Sequence, residues 1–172
     1  MQIPLPLCTV RSWRRGDEAS LVRHANNRNV WINLRDRFPH PYTSDDAARW
    51  MAWVLAERPE TNFAIAVGGD AVGGVGYEIQ PDVLRMSAEI GFWLGEAYWG
   101  RGIMTEAVRA VTEHALRTHQ LVRLYATVFE WNPASMRVLE KAGYTQEARL
   151  RRSAVKDGRV IDQVLYAITR EP

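Results

Sequence analysis

Cysteine is almost missing from this chain. Cys8 is the only one in 172 residues, which excludes an internal disulfide and any thiolate cluster for a metal. The histidines, His24, His40, His114 and His119, show no ligand spacing such as i, i+4 on one helix, so no metal site is expected. An excess of one charge is lacking too. A formal net charge of +2 gives no footprint for direct nucleic-acid binding, and Arg149, Arg151 and Arg152 read as a solvated strand face. No apolar run is long enough to span a bilayer, and the N-terminus carries no signal-peptide pattern. No membrane role is expected, and a cytoplasmic location follows by default. Repeats, low-complexity tracts and linkers are absent as well. With 47% hydrophobic residues, the chain reads as one folded domain over residues 1–172.

What is present is a clear order of elements. Leu7 to Trp13 reads as an opening strand, and Asp17 as the cap of a short helix to about His24. The polar stretch Asn26–Asn29 interrupts that helix, and Pro39 and Pro41 mark an irregular, aromatic link. Thr43-Ser44-Asp45-Asp46 starts a helix that runs to about Glu57. Phe63, Ile65 and Val67 open a meander that turns at Gly68-Gly69-Asp70 and again at Pro81-Asp82. Its third strand, about Met86 to Leu94, sets Glu89, Gly91 and Trp93 against Ile90, Phe92 and Leu94 on opposite faces. A helix over Ile103–Thr118 and a strand over Arg123–Phe129 follow. Asn132 caps the next helix, with Pro133 in its first turn, and Gly143 ends it. Two closing strands, about Tyr144–Ser153 and Val160–Ile168, flank the hairpin turn at Asp157-Gly158.

The most informative segment joins that third strand to the helix after it, through Gly95-Glu-Ala-Tyr98-Trp99-Gly100-Arg101-Gly102. Backbone N–H groups converge at such a turn, and the positive end of the helix dipole adds to them, so a phosphate or pyrophosphate is the natural guest. A P-loop reading lacks its lysine, and Gly102 stands where the Mg²⁺-holding hydroxyl belongs. A dinucleotide fingerprint, Gly100-x-Gly102-x-x-Thr105 with Glu130 as the ribose acid, lacks its third glycine. It also follows a meander instead of a first strand.

The same turn, Ala97-Tyr98-Trp99-Gly100-Arg101-Gly102, resembles the acetyl-CoA motif Gln/Arg-x-x-Gly-x-Gly/Ala of the GCN5-related N-acetyltransferases (GNAT), departing at its first position. A second block, Asn132-Pro-Ala-Ser135 through Glu140-Lys141-Ala142-Gly143-Tyr144, is similar to that family's Asn-x-x-Ser helix. The branch it resembles acetylates the N-terminal amines of ribosomal proteins (RimJ/RimL-like). The resemblance implies an α/β (α+β) fold: a mixed, mostly antiparallel sheet of six to seven strands with helices on both faces. It implies that Met86–Leu94 splays from Arg123–Phe129, with the pantetheine of acetyl-CoA pairing with main chain near Phe92, Trp93 and Leu94. Tyr98, Trp99, Gly100, Arg101, Gly102, Ile103 and Met104 would cradle the pyrophosphate, and Thr105 could add a hydroxyl. Asn132 would add a bond to the cofactor, although as an N-cap it cannot freely do both. A homodimer is an expectation of the same kind.

Amide formation needs an oxyanion donor, a route for the ammonium proton and a donor for the departing thiolate. The Leu94 N–H, Glu89 and Ser135 are the candidates, in that order. Each has a plainer reading, Ser135 as a capping or packing residue and Glu89 as an exposed strand carboxylate paired with an arginine such as Arg123. Members of this branch can carry a glutamate near the position of Ser153-Ala154, but here no carboxylate lies between Glu147 and Asp157. Either Glu89 serves or water takes the proton from an α-amine, whose pKa of about 8 makes that easy. Cys8 is not expected to reach the site as an acyl carrier, so direct attack in a ternary complex is expected. Trp31, Phe38, Tyr42 and Tyr77 are candidates for the acceptor groove, and Arg35 and Arg37 favour an acceptor with negative charge. A peptide α-amine, of the ribosomal-protein type, is the first choice of acceptor. A small amine is the second, and a CoA- or nucleotide-binding module without turnover is the rival of a different class.

Overall fold

The meander and the two later βα units close into one eight-stranded sheet in the order β1-β2-β3-β4-β5-β6-β8-β7. The structure is a computed structural model that describes residues 1–171. Its strands are β1 (Gln2–Pro4), β2 (Thr9–Ser12), β3 (Asn62–Val67), β4 (Asp70–Ile79), β5 (Ser87–Leu94), β6 (Arg123–Phe129), β7 (Thr145–Lys156) and β8 (Arg159–Thr169). Its helices are α1 (Glu18–Ala25), α2 (Arg28–Trp31), α3 (Ser44–Ala56), α4 (Ile103–Thr118) and α5 (Pro133–Lys141). Every strand pair is antiparallel except β5–β6. The mixed, mostly antiparallel sheet flanked by helices is therefore as expected. The strand count is eight and not six to seven, because Gln2–Pro4 forms an edge strand against Thr9–Arg11. Three residues with a terminal proline carry no alternation, so only the pairing partner defines that strand.

Each face of the sheet buries its own core. The periodicity of α4 puts Ile103, Ala107, Val108, Val111, Ala115 and Leu116 on one stripe, which shares a core with Val75, Ile90 and Leu124 of the sheet. On the opposite face α1 and α3 enclose a smaller, more aromatic core around Trp13, Leu21, Tyr42 and Met51. The start of α3 is the expected capping box, with the Thr43 hydroxyl accepting from Asp46 N and the Asp46 carboxylate accepting from Thr43 N. Asp17 behaves differently from expectation. Its side chain makes no cap bond to α1; it accepts two guanidinium N–H bonds from buried Arg11, both 2.8 Å, and the backbone N–H of Arg14. A buried arginine needs a carboxylate more than a helix end needs a cap. The polar stretch Asn26–Asn29 interrupts the helix as expected, and a separate helical turn, α2, begins within it, capped by Asn27. Asp157 and Gly158 both take positive φ, as the tight β7–β8 turn requires.

Candidate active site

The central feature is a fork between the two parallel strands. β5 pairs with β6 only at Ser87↔Arg123, Ala88↔Leu124 and Glu89↔Tyr125. Beyond Glu89 the strands separate, while β4 keeps its hold on β5 up to Leu94 and β8 on β6 up to Phe129. Backbone direction along β5 follows from two flanking bonds. Gly95 N donates to Val72 O on the β4 side, and Val122 N donates to Met86 O on the β6 side. Because main-chain groups alternate sides along a strand, the even-numbered residues aim theirs at β6. Ile90, Phe92 and Leu94 therefore present backbone groups to the open fork. The backbone of Trp93 faces β4 instead, so of the main-chain positions expected near a cofactor, Phe92 and Leu94 face the gap and Trp93 does not. The carbonyl of Leu94 accepts the indole N–H of Trp99 at 2.7 Å, which leaves its N–H as the free group there.

The strand then enters the glycine turn. Gly100 and Gly102 hold φ of 73° and 82°, a region costly for any residue with a Cβ. Those two reversals turn successive N–H groups to the same side. From Gly100 through Thr105 the backbone N–H groups find no acceptor among the described residues, and they sit at the N-terminus of the long helix α4. Such a cluster is a site for a multiply charged anion. Ile103 and Met104 bury their side chains in the core, so only their backbone is available to a ligand, and Thr105 is half-buried beside them. The turn is held from below. Glu96 accepts from Asn27 Nδ2 (2.7 Å) and Asn29 Nδ2 (2.9 Å). Tyr98 lies edge-on to His24, with the Arg101 guanidinium 5.4 Å from its ring.

Across the fork, Asn132 spends both ends of its amide on Ser135. Its Oδ1 accepts from Ser135 N (3.1 Å) and its Nδ2 donates to Ser135 Oγ (2.9 Å). With one lone pair of Oγ engaged, the Ser135 hydroxyl keeps its own proton to donate. Asn132 is the expected N-cap of α5, and the residue it orients is Ser135.

Glu89 stands at the apex of the fork on the face opposite α4. Its carboxylate pairs with Arg35 and accepts from Thr127 Oγ1 at 3.1 Å. Arg123, the partner expected from the sequence, instead forms a two-bond pair with Glu147. Directly opposite Glu89 on β4 is Glu78, and Arg37 lies 3.8 Å from it. Two facing carboxylates would repel; two arginines from one loop offset that. The same loop is tied down by Asp36, which accepts from the buried Lys156 ammonium at 2.8 Å. That ammonium also lies 3.6 Å from the centre of the Trp31 ring.

Loop, sheet and α3 together enclose a cleft of about 940 Å³ running from Trp53 and Glu57 past Gly91 and Glu89 to Asn132 and Ser135. Phe38 and Tyr42 line it as expected groove residues. Tyr77 borders it, but its side chain points to the α4 face, where burial pushes the phenol up to about 12 and its oxygen bonds His119 Nε2 at 2.9 Å. Trp31 lies outside the lining, beneath Lys156. Strand parity could have set Tyr77 apart, since Gly74 and Gly76 occupy the cleft face of β4. Nothing in the sequence marked Thr127 or Lys156, whose positions depend on long-range pairing. Among the described residues no group of His, Cys, Asp or Glu is placed to hold a metal, and no helix is long and apolar enough to cross a membrane.

Against known proteins, residues 8–145 match the family described as Acetyltransferase (GNAT) domain. The Bacillus subtilis protein YjcK, described as a probable N-acetyltransferase, is 44% identical over 117 residues, 66% of this chain and 64% of that protein. The chain thus spans just under two thirds of that relative's length. The Escherichia coli [ribosomal protein uS5]-alanine N-acetyltransferase is 30% identical over 164 residues, 92% of this chain and 82% of that one. Among solved structures, Mycobacterium smegmatis RimJ in complex with CoA-disulfide superimposes with a TM-score of 0.79 at 28% identity, covering 94% of this chain and 81% of that one.

Proposed function

The chain belongs to the GNAT acetyltransferase family, and we propose that it transfers acetyl from acetyl-CoA to the N-terminal α-amine of a protein or peptide, of the kind ribosomal proteins carry. The observation that carries this reading is the fork itself, with a carboxylate at its apex, a free N–H on one arm and an oriented hydroxyl across it. The N–H groups from Gly100 to Thr105 receive the pyrophosphate, and the main chain of Phe92 and Leu94 pairs with the pantetheine amides. The acceptor nitrogen attacks the thioester carbon while the Leu94 N–H donates to the oxygen that gains charge. Glu89, directly or through one water, takes the proton the ammonium must lose. When the C–S bond breaks, the Ser135 hydroxyl donates a hydrogen bond to the leaving thiolate, which takes up the second proton that the nitrogen loses as the amide forms. Asn132 is a positioning residue for that hydroxyl.

Direct attack fits the one cysteine. Cys8 is buried, and burial together with the Glu106 charge pushes its thiol up to about 11, which is far from an acyl carrier. The aromatic cleft continues well past Glu89, with Arg35 and Arg37 along it, and offers more length than a single small amine fills. The uS5-alanine enzyme's name states an acceptor of the proposed class.

Thiol release from acetyl-CoA, measured with N-terminal peptides, amino acids, polyamines and aminoglycosides, tests the proposal. Turnover confined to peptides is the expected result; turnover confined to small amines would replace the acceptor. Glu89→Gln should lower kcat/KM roughly 100-fold near neutral pH, with recovery at high pH where the amine sheds its own proton. A uniform loss at every pH would remove Glu89 from the base role.

A further inference from the structure

A glycine inside a strand has few physical reasons: a bulge, a special backbone angle, a crowding neighbour or a ligand that approaches the backbone. The glycines of β4 have neighbours that explain them. A Cβ on Gly73 would lie 2.9 Å from Leu94 Cδ1, one on Gly74 would lie 2.8 Å from Trp93 Nε1, and one on Gly76 would run into the Asn62 side chain. Gly91 on β5 has none of the first three reasons. Its Cβ would meet nothing within 4 Å, and it is not among the residues of positive φ. The β4–β5 register runs unbroken from Gly73↔Leu94 to Ile79↔Ala88, so no bulge requires it. Nothing within the protein accounts for this glycine, although its lack of a side chain weakens the strand.

Its place in the cleft does account for it. Gly91 lies between Glu89 and Trp93 on the same face, and the Trp93 ring, 5.5 Å from that of Phe38, walls one side. An amine held at the Glu89 carboxylate brings the carbon that bears it, and whatever that carbon carries, over the next position along the face. Resting on the α-amine reading above, we infer that Gly91 is the floor of a subsite for the substituent on the acceptor's amine-bearing carbon. The acceptor is thereby an amine on a branched carbon, such as a peptide beginning with serine or alanine. A slim aminomethyl end, as in glycine or a polyamine, does not use the space.

Gly91→Ala and Gly91→Val test this against wild type with peptides identical except for a first residue of glycine, alanine or serine. The preference for alanine or serine over glycine should fall about tenfold in kcat/KM with the first methyl group and further with valine. Affinity for CoA should stay the same, and thermal stability should hold or rise, since the change fills open space on a strand. An equal loss on all three peptides, weakened CoA binding, or a drop in Tm would each overturn the inference. The preference can be read equally on branched and unbranched small amines. If wild type takes those and no peptide, the peptide reading fails while Gly91 is still judged.

Discussion

The turn from Gly95 to Thr105 and the loop from Asn33 to Tyr42 flank the same fork and are built on opposite terms. The turn meets the fork with backbone. Two left-handed glycines and the start of α4 collect N–H groups, and the side chains of Ile103 and Met104 point away into the core. The loop meets the fork with side chains. Arg35, Asp36 and Arg37 each reach a different strand, ending on Glu89, Lys156 and Glu78. A backbone device suits a ligand that never changes, such as a cofactor's pyrophosphate. A side-chain device can be re-specified one residue at a time, which suits an acceptor.

The largest effect should come from breaking the backbone device. Gly102→Val forces a β-branched residue into a left-handed angle, where its Cβ also lies 3.3 Å from Leu7 Cδ1. Acetyl-CoA affinity should fall on the order of tenfold to hundredfold by calorimetry, with the fold intact by circular dichroism. Unchanged affinity would mean that the turn does not work through its backbone. A smaller and separable effect is expected on the other side. Arg35→Ala should raise KM for a peptide with an acidic residue near its N-terminus by roughly fivefold more than for a neutral peptide, as expected for one exposed charge pair. Its KM for acetyl-CoA should not move. Equal changes in both constants would erase the distinction between the two regions.

The smallest effect is on stability, and it links the turn to pH. His24, packed under Tyr98 and Gly95, and His114, on α4, have pKa values lowered below the ordinary 6.5, in each case first by burial. Each is neutral in the fold and takes up a proton more readily when unfolded. Their stabilising contribution is complete above 6.5 and is lost as pH falls from there through the folded values. Urea midpoints should therefore decline from neutral pH to about 5, before the carboxylates titrate. His24→Phe should flatten part of that decline. A flat profile in wild type would contradict the burial of both rings.

Much of the fold was open to a reader of the sequence because it rests on local rules. The bounds of α4 and β6 were readable from periodicity, and Asn132-Pro133 marked a helix start by capping chemistry alone. The edge strand Gln2–Pro4 was not readable, since three residues have no pattern of their own. The role of Asp17 was misread because its partner, Arg11, reaches it from a neighbouring strand and not along the helix.

The candidate site divides along the same line. The order of elements, the glycine turn and the Asn-x-x-Ser helix were set by the sequence itself, because glycine angles, caps and alternation act over a few residues. Which arginine meets Glu89, why Thr127 and Lys156 matter, and where the Tyr77 ring points were decided only by the tertiary structure. Those are contacts across 38, 54, 120 and 42 positions of chain, and no local preference reaches so far. The open space above Gly91 belongs to that second group, because the room around an atom is fixed only by what the rest of the molecule leaves unfilled.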